Sequence, residues 1–317
     1  MIFFSLRRAV VVAACASAAL LSACGSSTVE SQVTPARFIA FGDAFADVGQ
    51  AGSKYTVNDG FNNNWITQMA AVVNRTITPS ATGGLGYGRA NVRVVAKPDA
   101  VGSSTSLTVK EQIDTFLTSN TMANDDIIVV SGGISDIVVE MASFKAGTTS
   151  QAQFTANVQQ AGRDLGAQVR RVVTAGGKHV MVVGPYNLGN SPWARALDQK
   201  SLLTDATTKF NEALLVSIND LGANVLYVDA AYYYNLVVGT PAGYSMTNVV
   251  DVVCTSVDAG AGIGVGAGEV NSSLCNTSTI LSGTAYDSYL FADKLYFSPA
   301  GNRLFGNYAY DKLRDRW

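Results

Sequence analysis

The stretches "DIIVVS" (Asp126–Ser131) and "KHVMVVG" (Lys178–Gly184) each carry four consecutive apolar residues with no polar alternation. A strand with one face in water alternates; a strand apolar throughout is buried on both faces, which demands a parallel sheet covered by helices on either side. The rest of the chain supplies the parts. Arg37–Gly42 and Val225–Asp229 read as further buried strands, and Asn91–Ala96, weakly alternating, as an edge strand. Helical spacing appears in Asn64–Asn74 (Trp65, Ile66, Met69 and Val73 on one face), Val109–Leu117, Gln151–Ala175 and Asp198–Leu221, the last with Gly222 as C-terminal cap. Ser298-Pro299 opens a final helix with an N-cap serine and a proline at the first helical position. Strands alternating with helices predict an α/β chain, a three-layer α/β/α sandwich with about five parallel strands. No linker or repeat divides residues 37–317, which read as a single domain.

Residues 1–23 read as a leader. Arg7-Arg8 precede an apolar run from Ala9 to Leu21 that is too short to span a bilayer and ends in small residues, as a secretory signal does. Leu21-Ser22-Ala23-Cys24 also resembles the lipobox of bacterial lipoproteins, which implies a lipid-anchored Cys24 as first mature residue; an ordinary signal peptide is the alternative. The expected location is the bacterial cell envelope, the outer membrane in preference, facing periplasm or exterior. The membrane is then a partner through Cys24, and residues 24–36 form a flexible tether. Cys15 leaves with the leader, so Cys254 and Cys275 remain to form one disulfide in an oxidising compartment.

Loss of Arg7 and Arg8 takes the formal charge from −2 to −4, which gives no reason to expect nucleic acid. No Cys-x-x-Cys or His-rich pattern supports a metal. "GGLGYG" (Gly83–Gly88) and "GAGIGVGAG" (Gly260–Gly268) lack the G-x-G-x-x-G spacing and read as flexible loops, so no cofactor is expected.

Sites in such sheets form beyond the carboxyl ends of the strands. Three segments leave those ends: Gly42-Asp43-Ala44-Phe45-Ala46-Asp47-Val48-Gly49, Gly132-Gly133-Ile134-Ser135-Asp136-Ile137, and the run from Phe291 through Asp293 and Tyr296 to Pro299. With "KYTVN" (Lys54–Asn58), "YGRANVRV" (Tyr87–Val94) and the two late cysteines, their order and spacing resemble the SGNH, or GDSL, ester hydrolases, and more narrowly the secreted proteobacterial lipoproteins of that family. The resemblance covers Phe38 to the C-terminus and implies a flavodoxin-like SGNH hydrolase fold.

It also implies roles for individual positions. The family's nucleophilic serine falls on Ala44, and its oxyanion-hole asparagine falls on Ser135 within Gly133–Asp136. A second backbone donor, a glycine in the family, falls on Asn91. The family's Asp-x-x-His falls on Asp293-Lys294-Leu295-Tyr296, so Asp293 is the retained acid and Tyr296 replaces the base. Asp43, Asp47, Gly133 and Asp136 support the site.

These differences are chemically severe. In the family a hydroxyl attacks an ester carbonyl while an imidazole, held by a carboxylate, takes its proton. Alanine has no attacking atom, and a phenol titrating near 10 is a poor base at neutral pH. Losing an oxyanion donor costs about two to three decades in rate, and losing such a nucleophile on the order of a million-fold. The single histidine of the chain, His179, sits at the amino end of its strand, roughly 16 Å from the carboxyl end.

Aspartates 43, 136 and 293 acting on water with a cation are an alternative, against which such aspartates commonly hold their own loops. Phe45, Tyr186, Trp193 and the Tyr232–Tyr234 run would line a pocket or fill the core. The expected function is that of a pseudoenzyme, an SGNH-type envelope lipoprotein whose pocket binds a small ester or glycan ligand or serves as scaffold. The alternative is an active lipase/esterase or carbohydrate esterase with a rewired site.

Overall fold

The computed structural model describes residues 33–260 and 266–317. The leader, Cys24 with its expected anchor, and the tether as far as residue 32 lie outside the described residues. Four parallel strands, β1 (Arg37–Phe41), β2 (Asp126–Ser131), β3 (His179–Val183) and β4 (Val225–Tyr227), lie side by side in chain order. β2 is buried at all six positions, as its unbroken apolar sequence requires. Phe41 pairs with Val130 and Ser131 with Val183, so the carboxyl ends of β1, β2 and β3 finish at one level.

The expected fifth strand at Asn91–Ala96 does not form, because Asn91 turns the chain into the left-handed region (φ 68°). Its place beside β1 is taken by Leu85–Tyr87. Ala40 donates to Leu85 O at 3.0 Å and accepts from Tyr87 N at 2.7 Å, and Gly86 bridges Ala40 in parallel. The "GGLGYG" stretch is therefore a packed sheet edge, not a flexible loop. A Cβ on Gly86 would overlap Val48, and one on Gly88 would overlap the Ala46 carbonyl. With this edge the second chain segment lies outside the first, the flavodoxin-like order, and the direction of winding reverses between β1 and β2.

The helices are α1 (Trp65–Val72), α2 (Val109–Ser119), α3 (Ile134–Lys145), α4 (Gln151–Thr174), α5 (Pro192–Ala196), α6 (Lys200–Ile218), α7 (Ala230–Gly239) and α8 (Pro299–Arg316). α4 packs on β2, β3, α2, α3 and α6, while α8 packs on α1, α7 and β4, which gives the two outer layers. α3 and α7 were not foreseen, and α6 ends on Asn219 rather than being capped by Gly222. Ser298 does cap α8, accepting from Gly301 N at 3.2 Å. Among the described residues no helix is long and apolar enough to cross a membrane.

After α7 the chain builds a small lobe from β5 (Asn248–Val252), β6 (Val257–Asp258), β7 (Glu269–Val270) and β8 (Tyr289–Phe291). β5 pairs with β8 and β6 with β7. The Cys254–Cys275 disulfide crosses this lobe with a Cα separation of 5.8 Å. Both cysteines sit in a minor apolar cluster with Val57, Val253 and Ala292, beside the loop that carries Asp293.

Candidate functional site

The three segments singled out in the sequence do converge at the carboxyl ends of the strands, and buried carboxylates stitch them together. Asp43 follows β1 directly. Its Oδ1 accepts from Phe45 N at 3.1 Å, capping the single turn Ala44–Ala46, and its Oδ2 accepts from Ile134 N at 3.1 Å, the first residue of α3. That helix begins on Gly133, where φ is 113° and an added Cβ would meet the Phe210 ring, so only glycine fits. Burial of Asp43 pushes its pKa up to about 6, with Asp136 adding to the rise and backbone N–H groups opposing it.

Asp47 ties the Leu85–Arg93 region to the same place. One oxygen accepts from Gly49 N and Gln50 N, both at 2.8 Å, and the other from Ala90 N at 3.0 Å. Asp136 accepts from Val94 N at 3.0 Å and from Arg93 Nε at 3.3 Å, and Arg93 continues to Glu140 at 2.9 Å. Burial outweighs the arginine, and the Asp136 pKa is pushed up to about 6.

Asp293 is fully buried. Its Oδ1 accepts from Leu295 N at 2.8 Å and Tyr296 N at 2.7 Å, and its Oδ2 from Ser272 N at 3.0 Å. The carboxylate thus braces its own loop and the disulfide lobe. Burial raises its pKa against those three donors.

A profile of GDSL-like lipases and acylhydrolases matches residues 38–309. The chain belongs to this GDSL family. Among curated proteins none matches the sequence. Solved structures similar to this GDSL-family chain include the native M. smegmatis aryl esterase, at 14% identity and TM-score 0.48, covering 89% of this chain and 99% of that one. Est24, a carbohydrate acetylesterase from Sinorhizobium meliloti, is similar at 13% identity and TM-score 0.48, again over 89% and 99%. A catalytic mutant of the acetylxylan esterase Axe2 from Geobacillus stearothermophilus is similar at 12% identity and TM-score 0.45, over 90% and 95%.

In this GDSL-family chain the residues at the crevice are closed off from solvent. Ala44 is 2% exposed, Ser135 0% and Tyr296 1%. The Tyr296 ring meets Tyr55 edge-on at 5.2 Å between centroids. Burial raises the Tyr296 phenol well above its ordinary range, and nearby Asp43 and Asp293 push the same way. Its hydroxyl has no hydrogen-bond partner in the protein, and neither does Thr56 Oγ1 or Ser135 Oγ. Ala44, Tyr55, Thr56 and Tyr296 line a cavity of about 10 Å³, which is about the space of one water molecule.

The aromatics are mostly core. Phe45, Tyr186, Trp193, Tyr233 and Tyr234 are all buried, with Tyr234 stacked on Phe297 at 3.8 Å, whereas Tyr232 points outward. His179 stays at the amino end of β3, edge-on to Trp317 at 4.9 Å, and burial lowers its pKa. Among the described residues no group of three or more His, Cys, Asp or Glu is placed to hold a metal ion.

Three contributors escaped the sequence. Gln112 of α2 accepts from Gly42 N at 2.8 Å and donates to Gly42 O at 3.0 Å, fixing the turn before Asp43. The signal for it was a polar residue on the buried stripe that holds Val109, Ile113 and Phe116. Tyr55 and Thr56 close the cavity from within "KYTVN", a stretch noted only for its resemblance.

Proposed function

We propose that this GDSL-family protein is catalytically silent, a lipid-anchored envelope protein in which the ester-hydrolase framework is kept and the reaction centre is sealed. One observation carries the reading. The place where the family's nucleophile belongs holds the methyl group of Ala44 in a cavity of about 10 Å³, walled by a buried Tyr296. An ester needs room for an acyl group, an attacking oxygen and a base. This cavity offers none of the three.

The positioning of the remaining groups supports the assignment. Asn91 holds a positive φ of 68°, the conformation natural to the glycine that the family carries there. Asp293 spends its oxygens on Leu295, Tyr296 and Ser272 N–H groups instead of orienting a base. The domain then acts as a scaffold, or as a binding protein through some other surface, held at the membrane by Cys24.

The mature protein is to be incubated with short-chain aryl esters and with a fluorophosphonate probe. The expected result is no turnover above a heat-denatured control and no labelling. Stoichiometric labelling, or turnover that co-purifies with the protein and survives Ser135→Ala, would overturn the proposal. Anchoring is read separately, by mass spectrometry of the N-terminal peptide from cells: acylation of Cys24 is expected, and an unmodified N-terminus at another residue would refute it.

A further inference from the structure

Beside the sealed centre lies an open cleft of about 350 Å³ at the same end of the sheet, within the range typical of small-molecule sites. A backbone hydrogen bond links their surroundings. α5, which forms one side of the cleft, is bonded to the Asp293 loop through Trp193 N and Lys294 O at 3.1 Å.

The walls are held in place independently of any occupant. Asn187 and Asn190 both donate to Asn235 Oδ1 of α7, at 3.0 and 2.7 Å, so the loop after β3 is clamped to that helix. Ser191 caps α5 by accepting from Ala194 N at 3.0 Å. Gly189 lies so close to α6 that a Cβ would overlap Thr204. Between α5 and α6 the chain turns through Asp198 at a positive φ of 54°, which brings Arg195, Asp198 and Lys200 around one opening.

The chemistry of the lining is specific. Two cations, Arg195 and Lys200, and one carboxylate, Asp198, border the cleft. Among the described residues Asp198 and Lys200 form no ion pair, and Arg195 only reaches Asp251 at 3.9 Å. The lining also has an aliphatic part, made by Val238 of α7 with Val249 and Val250 of β5, and Val250 is 38% exposed. Charges of both signs, Asp198 and Lys200 without an ion pair among the described residues, in a cleft that also has an aliphatic lining suit a ligand that carries both charges close together on a short aliphatic body.

We infer that this cleft binds a small aliphatic zwitterion, an α-amino acid with a branched side chain or a short peptide of such residues. The carboxylate sits between Arg195 and Lys200, the ammonium against Asp198, and the side chain on the three valines. The cleft shares no lining residue with the sealed centre, so the inference stands whether or not that centre hydrolyses esters.

Isothermal titration of the mature protein with L-leucine, L-valine and leucyl-leucine is the test, with 4-methylpentanoate and isoamylamine as single-charge controls. At least one zwitterion is expected to bind saturably, with both controls weaker by ten-fold or more. Arg195→Ala and Asp198→Asn, at exposed positions, are each expected to weaken binding at least ten-fold while circular dichroism stays unchanged. No saturable binding up to the solubility limit, binding that ignores both substitutions, or controls that bind as well as leucine would overturn it. Ester turnover with leucine binding intact would instead defeat only the proposal of catalytic silence.

Discussion

The buried carboxylates at the mouth of the sheet should make this protein more stable in mild acid than at neutral pH. Asp43 and Asp136 are 1% and 2% exposed, and burial pushes each pKa from 3.8 to about 6. Because the folded values lie above the unfolded ones, the folded protein holds more protons between pH 4 and 6. Stability is therefore highest below that window and falls as pH rises through it. A rise of about two pH units corresponds to about 3 kcal/mol for each group by pH 7, and two protons give a slope of about −2.7 kcal/mol per pH unit at its steepest.

Asp47 and Asp293, also raised by burial, act in the same direction. Glu111, Asp114, Asp220 and Asp258, with lowered values, and His179, lowered by burial, act in the opposite direction; the four acids lie near solvent, where such effects are screened. Urea unfolding followed by tryptophan fluorescence at half-unit steps from pH 4.5 to 7.5 measures the slope directly. Asp43→Asn removes one titrating group, so its curve is expected to be flatter by about a proton whatever its absolute stability. A wild-type stability that is level or rises with pH across this range, or an Asp43→Asn slope equal to that of wild type, would refute the reasoning.

Other outcomes follow from single features. Gly133→Ala forces a residue with a side chain into φ 113° and against Phe210; a loss of about 3 kcal/mol or more is expected in urea unfolding, and a loss under 1 kcal/mol would contradict the packing. Replacing Cys254 and Cys275 by serine opens a bridge with a sequence separation of 21, with an expected cost of about 3 kcal/mol, measured by thermal unfolding of the variant against the oxidised parent. Ala44→Ser alone is expected to leave aryl-ester cleavage absent, since no base is supplied. Ala44→Ser with Tyr296→His and Ser135→Asn is expected to gain fluorophosphonate labelling; labelling by the single substitution, read by intact mass, would show that another group serves as base.

The layers were legible because their signals are local. β2 and β3 announce burial on both faces through unbroken apolar runs, and α4 through its long amphipathic period. The sheet edge was misplaced because its signal is not local. Leu85–Tyr87 pairs with β1 only through glycines that let the backbone in against Val48 and Ala46, and such glycines in sequence look like slack. Asn91–Ala96 alternates but is broken by the positive φ at Asn91. α3 hid for a related reason. Its first residues, Ile134, Ser135 and Asp136, are all buried at the site, and Asp43, 91 residues earlier in the chain, supplies its cap through Ile134 N.

The site divides along the same line. Order and spacing single out Ala44, Ser135, Asp293 and Tyr296 as candidates through the family resemblance. Whether a crevice survives between them depends on volume. A tyrosine carries more bulk than an imidazole, and here that bulk is pressed against Tyr55 from a distant loop, a contact 241 residues apart in the chain that no spacing rule contains. The same closure accounts for the acids. Buried away from bulk solvent, Asp43, Asp136 and Asp293 turn to backbone N–H groups and one arginine, and those bonds hold the loops around the centre. Ala44, the buried Tyr296 and the hydrogen-bonded carboxylates therefore belong to one packing arrangement: Tyr296 closes the wall beside Ala44, and the carboxylates hold the loops around it.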